Sequence, residues 1–428
     1  MRRLALALIL LGLGGLASPA SLRARDLYES EDGEYRLELR SALKGSWLLS
    51  FPYDDVALGP ADPIGAALFR LRLELATTLG EHFTAGVAYE HRAQSSSAVG
   101  AGLALLPPTS RAPFRLRQLD WFIVDATPSY VHRHELDRAY IALHLPFMEL
   151  TLGRQAIGLG RGALFSAVDL FAPFSPTEVD REWRRGVDAA HLELRLPSVS
   201  ELSGDLIAAF GDLSASGLRS WAMVGRLRAL IGEADAALIA GLRDQDEFAA
   251  AVLSANLGEA EVHGEFALFD TDGAGIDGGW LGTDALVAKA LIGGSYVFDL
   301  GRGLRTVLEY HYSGFGVARI GRSSAILFDT SFQSRLLRGD SQLLGRHAIA
   351  LILGTELLDD LMAGLTYIQS PIDGSGLLSP TLSWSHSDNV TVLASVLLPW
   401  GAASEGGIPR SEFGASAPTI FVQARLYD

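Results

Sequence analysis

The ten residues GRQAIGLGRG, Gly153 to Gly162, hold four glycines and two arginines, the make-up of a loop whose backbone could wrap a phosphate. A dinucleotide or Walker loop needs a helix N-terminus after its glycines, and the Walker form closes on Gly-Lys-Ser or Gly-Lys-Thr. Here Ala163-Leu164-Phe165 leads into a proline- and aromatic-rich stretch with no such lysine, so nucleotide binding is set aside. His311 and Ser313 stand two apart in YHYSGFG, and a serine nucleophile needs its base within hydrogen-bond reach. Asp270, Asp272 and Asp277 in DTDGAGID offer oxygens to calcium, but Ala274 and Leu281 stand where a calcium loop carries acids; this is read as a solvated acidic loop. The histidines of SYVHRHE form a loop cluster with weak ligand potential, and no His-x-x-x-His spacing occurs. Basic stripes for nucleic acid are absent, and no cofactor is implied.

The elements around these residues decide what they do. The chain opens MRRLALALILLGLGGLASPAS: a positive start, an apolar run and small residues, the pattern of a secretory signal peptide. Residues 1–20 are expected to be removed, 21–33 to form a short periplasmic segment, and 34–428 to form the folded body. No cysteine occurs, which excludes a disulfide-stapled module, a cysteine-anchored lipoprotein and thiolate chemistry. Hydrophobic residues make up 48% and mean hydropathy is +0.22, yet no later run reaches the length of a membrane helix. Such a chain either has a large soluble core or spreads its apolar residues over alternating positions of a membrane barrel.

The period is two. In EYRLELRSAL, Tyr35, Leu37 and Leu39 oppose Arg36, Glu38 and Arg40; in FRLRLEL, Phe69, Leu71, Leu73 and Leu75 oppose Arg70, Arg72 and Glu74. Strand side chains alternate sides, so each segment has an apolar and a charged face. The pattern continues through segments ending with VTVLASVLLP and TIFVQARLY, about eighteen strands in all, with sixteen as the alternative. Connections alternate short and long, as periplasmic turns and external loops of an outer-membrane barrel do. The fold class is therefore an all-β, single-chain, antiparallel transmembrane barrel, monomeric and surrounded by outer-membrane lipid. A soluble sandwich or β-solenoid also alternates, but neither sorts its loops by parity, and no fixed repeat is visible.

In this register the water-facing side carries Arg36, Arg40, Arg70, Arg72, Arg92, Arg138, Arg154, Arg226, Arg228, Arg243, Arg305 and Arg425, with Glu38, Glu74, Glu90, Glu193, Glu261, Glu265 and Glu309. Cross-strand ladders would brace the wall; the arginine excess would select anions. The net charge of −15 does not oppose this, because much of the acid falls in turns and loops. Eighteen strands leave an aqueous channel, so a long loop is expected to fold inward, with Gly158, Gly160, Arg161, Gly162, Arg181, Arg184 and Arg185 as constriction candidates. His311 and Ser313 face water here, because Leu308, Tyr310 and Tyr312 take the lipid side.

The stretch LGRQAIGLGRG…DLFAPFSPTEVDREWRRGVDAAHLEL resembles outer-membrane barrels of the alginate-export type, in which a Gly-Arg-Gln strand end leads through a loop to a Gly-Val-Asp-like strand start. Gly153, Arg154, Gln155, Gly186, Val187 and Asp188 match, whereas Asp169 to Arg185 departs from that type. The resemblance implies an eighteen-stranded porin passing an anionic polysaccharide, served by a periplasmic polysaccharide-export protein. A porin for small anionic solutes is the alternative. The His-x-Ser spacing is also similar to that of outer-membrane lipid hydrolases, a further alternative using Ser313 and His311, although those barrels are smaller and carry the pair on the lipid side. With the arginines as the selecting groups, replacing Arg70, Arg72 and Arg154 by Ala is expected to lower anion preference.

Overall fold

The computed structural model of the chain describes residues 25–53, 62–97, 114–121, 130–196, 202–211, 221–271, 286–320, 335, 339–405 and 408–427. The expected signal peptide, Asp272 and Asp277 lie outside the described residues. Among those residues no helix is long and apolar enough to cross a membrane.

Among the described residues, twenty strands form one antiparallel sheet. A short β1 (Arg25–Glu29) precedes the first long hairpins, β2 (Tyr35–Ser50), β3 (Ile64–Leu79) and β4 (Phe83–Ser96). A two-residue β5 (Asp120–Trp121) precedes β6 (Tyr130–Leu145), β7 (Met148–Gln155), β8 (Val187–Leu196) and β9 (Leu202–Phe210). The far wall is β10 (Trp221–Ile231), β11 (Ala234–Arg243), β12 (Asp246–Leu257), β13 (Ala260–Asp270), β14 (Leu286–Phe298) and β15 (Leu304–Ser313). It is completed by β16 (His347–Leu358), β17 (Leu361–Gln369), β18 (Gly376–Ser387), β19 (Val390–Trp400) and β20 (Thr419–Tyr427). β20 pairs back onto β2, from Ala42 opposite Tyr427 to Ser50 opposite Thr419. Setting β1 and β5 aside, eighteen strands close into a barrel without edges.

The two small strands sit where the wall would otherwise have bare backbone. β20 stops at Ala42, and β1 covers β2 beyond it, Arg25 opposite Leu39 and Glu29 opposite Arg36. β7 reaches β6 only as far as Ala139, and β5 pairs with His134 and Glu135 above it. Unpaired strand edges in a membrane leave polar groups without water, which costs several kcal/mol each.

The alternation sorts the faces as the pattern requires. On β3, Ala66, Leu68, Arg70 and Arg72 are buried toward the interior, while Phe69, Leu73 and Leu75 are exposed on the outside. Leu227, Leu238, Ile292 and Leu308 continue the outer apolar belt. The loop parity holds with two exceptions on the long-loop rim: β11 turns to β12 through Asp244 and Gln245 alone, and β17 reaches β18 through residues 370–375. Asp244 takes the left-handed conformation (φ 58°) that so tight a turn demands.

The interior departs from the expectation of a uniformly charged, water-lined wall. Val187, Ile207, Val224, Ile239, Phe248, Val252, Phe269, Val287 and Leu291 all face inward and join one buried apolar cluster. This arc of the inner wall packs against a chain segment, Ile157 to Phe171, in the same cluster.

Leu73→Arg places a charge on the outer belt and is expected to destabilise the barrel by about 2–4 kcal/mol at mid-bilayer depth. Refolding into phospholipid vesicles measures it; no loss of stability would contradict a lipid-facing Leu73.

Candidate functional site: the lumen and its inward loop

The segment 156–186 leaves β7, crosses the interior and returns to β8. Its neck is the motif noted in the sequence. Gln155 stands opposite Val187, Arg154 opposite Asp188 and Gly153 opposite Ala189. Arg154 Nε donates to Asp188 Oδ1 at 2.7 Å, and its Nη atoms donate to Asp188 Oδ2 and to the carbonyls of Gln118, Leu136 and Arg117. Every donor of this guanidinium is engaged inside the wall, at 2% exposure. Arg154 is thus a clamp and not a pore-lining residue, because its register partner lies on the face opposite inward Val187 and Ala189.

Past the neck, Ile157, Leu159, Leu164, Phe165, Val168, Leu170 and Phe171 pack into the apolar cluster of the far wall. Burying a side chain of this kind contributes about 1.5–3 kcal/mol. A backbone lying in a dry interior must also pair its amides, and two wall carboxylates accept them. Glu265 of β13 accepts from the amides of Arg161, Gly162, Ala167 and Val168 and from Ser166 Oγ at 2.9 Å. Glu309 of β15 accepts from the amides of Ala163, Leu164 (2.9 Å) and Phe165 (3.3 Å), and pairs with His263 Nε2 at 3.1 Å.

The glycine run does, then, cradle an anion, and the anion is the protein's own wall. A side chain at Gly160 would meet Ser166 and Glu265, and one at Gly162 would meet Phe165 and Leu291; only glycine allows so close an approach. Gly158 lies beside the Arg184 guanidinium. Arg184 itself holds Asp169 and donates to the Ala172 carbonyl at 3.0 Å. Arg181 closes the loop on itself through the carbonyls of Ala163, Ser175 and Glu178. Arg161 reaches Asp235 on β11, and Arg185 stands half-buried within electrostatic reach of Arg92, Glu135 and Glu178. All seven constriction candidates belong to the crossing segment.

The return limb meets the opposite, charged arc of β2, β3, β4 and β6. Lys44 Nζ contacts Asp180 and Glu182, both at 2.7 Å, and lies 3.7 Å from the Trp183 ring centroid. Arg70 and Arg72 lie over the same indole. Arg70 pairs with Glu90 at 2.7 Å and Arg72 with Asp137 at 2.8 Å, while Arg92 also holds Glu90. Arg115 joins Glu135 to Asp137, and Arg138 holds Asp137 at 2.7 Å. Arg243, on the far side, pairs with Asp340 at 2.5 Å. Arg70, Arg72, Arg92 and Arg243 face inward as expected. They are buried and ion-paired, however, and do not line open water.

Toward the short-turn rim the inward face opens. Arg36 pairs with Asp26 and Glu38, both at 2.9 Å, and Arg40 pairs with Glu38 at 2.8 Å. Arg226 pairs with Asp205, Arg195 with Glu193, and Arg228 stands 3.9 Å from Asp235. Glu74 lies 3.5 Å from Arg72, and Glu261 accepts from Ser295. Arg305 forms no ion pair with a described residue, and Arg425 donates to Gln423. On the opposite rim, Glu412 takes the amides of Leu344 and Gly345, joining two external loops, and burial pushes its carboxyl up to about 7.

His311 and Ser313 face inward and are buried rather than wet. No hydrogen bond joins them to each other, so the serine–base contact that hydrolysis requires is not formed. His132 and His134, expected in a loop, stand on β6 and stack outward with His91 and Trp121. Asp270 ends β13, exposed, and no cluster of acids or histidines among the described residues could hold a metal. Lys44, Asp137, Glu135, Asp180 and Trp183 escaped the sequence reading. The one available signal was that Lys44 is one of only two lysines.

No protein-family model matches the chain, and no curated protein sequence matches it. Solved structures do. Acinetobacter baumannii OccAB1 is 11% identical with a TM-score of 0.56, over 96% of this chain and 99% of that one. OccAB4 of the same organism is 11% identical at 0.52, over 92% and 98%. Pseudomonas aeruginosa OccK11 (OpdR) is 12% identical at 0.51, over 92% and 96%. At such identity the likeness establishes the fold: the closed antiparallel barrel of outer-membrane porins.

Replacing Glu265 and Glu309 together by Ala strands six loop amides, Val168 keeping Ser166 Oγ, at about 1–3 kcal/mol for each buried unpaired group. The expected outcome is a higher single-channel conductance and new trypsin cleavage at Arg161. Unchanged conductance and cleavage would show that these carboxylates do not hold the loop.

Proposed function

We propose that this chain is a passive outer-membrane channel for small anionic solutes. The observation that carries the proposal is a pair of inward arginines, Arg305 and Arg425, that are not spent on ion pairs. Arg305 and Arg425 hold no carboxylate among the described residues, Arg425 donating instead to Gln423. Basic side chains around a water-filled passage favour anions, and low-dielectric walls focus their field.

The crossing segment sets the size class. It is tied to β2 and β3 at one end and to β13 and β15 at the other, so the passage runs beside it. Export of an anionic polysaccharide, which the motif resemblance implies, asks for a lumen that admits a hydrated polymer. A loop packed into a dry cluster on one side and ion-paired on the other supports small solutes better.

The test is the reversal potential of the reconstituted barrel in a KCl gradient. Wild type is expected to prefer chloride, and Arg228→Gln, Arg305→Gln and Arg425→Gln combined to lower that preference about twofold or more. Arg154→Gln, a change in the wall, is expected to reduce stability without moving the reversal potential. Cation selectivity in wild type would contradict the proposal.

A further inference from the structure

Lys289 and Ser313 face each other across the β14–β15 ladder, and His311 precedes Ser313 on the same inward face. The three are buried, at 2%, 1% and 1% exposure. Phe165 of the crossing segment lies flat on the imidazole, with centroids 5.0 Å apart and planes at 15°. Phe165 is held there by its own amide, which donates to Glu309.

His311 and Ser313 are polar and unused. Both ring nitrogens of His311 and the Ser313 hydroxyl lack a hydrogen-bond partner among the described residues, and His311 is the only described side chain with two such atoms. The carboxylates that surround Lys289 are engaged elsewhere: Asp340 by Arg243, Asp169 by Arg184, and Glu265 by the loop amides. Buried polar groups in folded proteins are almost always satisfied, and each exception calls for an explanation such as an ion.

We propose that Lys289, His311 and Ser313 form an internal site for a small oxyanion that carries a hydrogen, with inorganic phosphate as the matching ligand. The ammonium supplies donors, the hydroxyl either role, and a neutral imidazole one donor and one acceptor. Phosphate near neutral pH keeps a P–OH that donates to the imidazole acceptor while its oxygens accept from Lys289 and Ser313. Sulfate is fully ionised and only accepts, so it can meet a ring nitrogen only as N–H, whereas phosphate can meet that nitrogen in either tautomer. The site therefore discriminates between two anions of the same shape. The proposal rests on the channel reading for the ligand's route of entry and not for its chemistry.

Equilibrium dialysis of the full refolded barrel against inorganic phosphate, with sulfate as the comparison, tests it. Saturable phosphate binding is expected, with sulfate about tenfold weaker or more, the effect of the one hydrogen bond, from the P–OH, that sulfate cannot make. Lys289→Met and Ser313→Ala are each expected to weaken phosphate by about tenfold or more. Should Lys289→Met fail to fold, Ser313→Ala, which removes a single oxygen, decides alone. Absence of saturable phosphate binding, equal binding of sulfate, or binding unaffected by Ser313→Ala would each overturn the proposal. An anion-selective barrel without phosphate binding refutes the site alone. A cation-selective barrel that binds phosphate refutes the channel reading alone.

Discussion

A chain carried into the middle of a barrel leaves behind the ladder that satisfied its amides, and Glu265 and Glu309 stand in for that ladder. Together they accept from seven consecutive or near-consecutive backbone N–H groups between Arg161 and Val168. Hydrogen bonds to a charged acceptor are roughly twice as strong as neutral ones, and these lie away from competing water. The rest of the interior follows from where they hold the segment. Its aliphatic and aromatic side chains fall against the apolar arc of β8 to β16, and Asp180, Glu182 and Trp183 of its return limb fall against Lys44, Arg70 and Arg72 of β2 and β3.

That division gives the two halves of the wall different physics. The apolar arc is stabilised by removal of surface from water, which needs shape but no exact partner. The basic arc is stabilised only while every charge keeps its partner, because breaking a buried pair costs about 3–5 kcal/mol. Glu90 shared by Arg70 and Arg92, and Asp137 shared by Arg72, Arg115 and Arg138, are such pairs. They position the Trp183 limb of the segment. The charges left outside these pairs are therefore the outlying ones, such as Arg305, and not those that are most conspicuous in the sequence.

The strands were legible because lipid imposes a period of two on every one of them, and Leu71 and Leu73 face outward as their spacing requires. β1 and β5 were not legible, since they answer local gaps in pairing that only the register reveals. Arginine positions on the inward side were legible, yet a sequence does not distinguish a side chain that meets water from one that meets another segment. A sign of the difference was present. In FAAAVLSANL and ALVAKALIGG most residues on both faces are apolar, Lys289 being the inward exception, so the inward positions Phe248, Val252, Val287 and Leu291 had to meet something apolar. The glycine run read correctly as close approach, while its partner, a wall carboxylate, needed the fold to be found. Arg154 and Asp188 share a motif because they close the neck of the segment.

Hydrogen exchange at the amides of Arg161 to Val168 in the refolded barrel tests this account most directly. A loop held by Glu265 and Glu309 should protect those amides to the level of neighbouring β13 and β15 strand amides, over hours. Exchange as fast as that of an open surface loop would mean that the segment does not reside in the lumen.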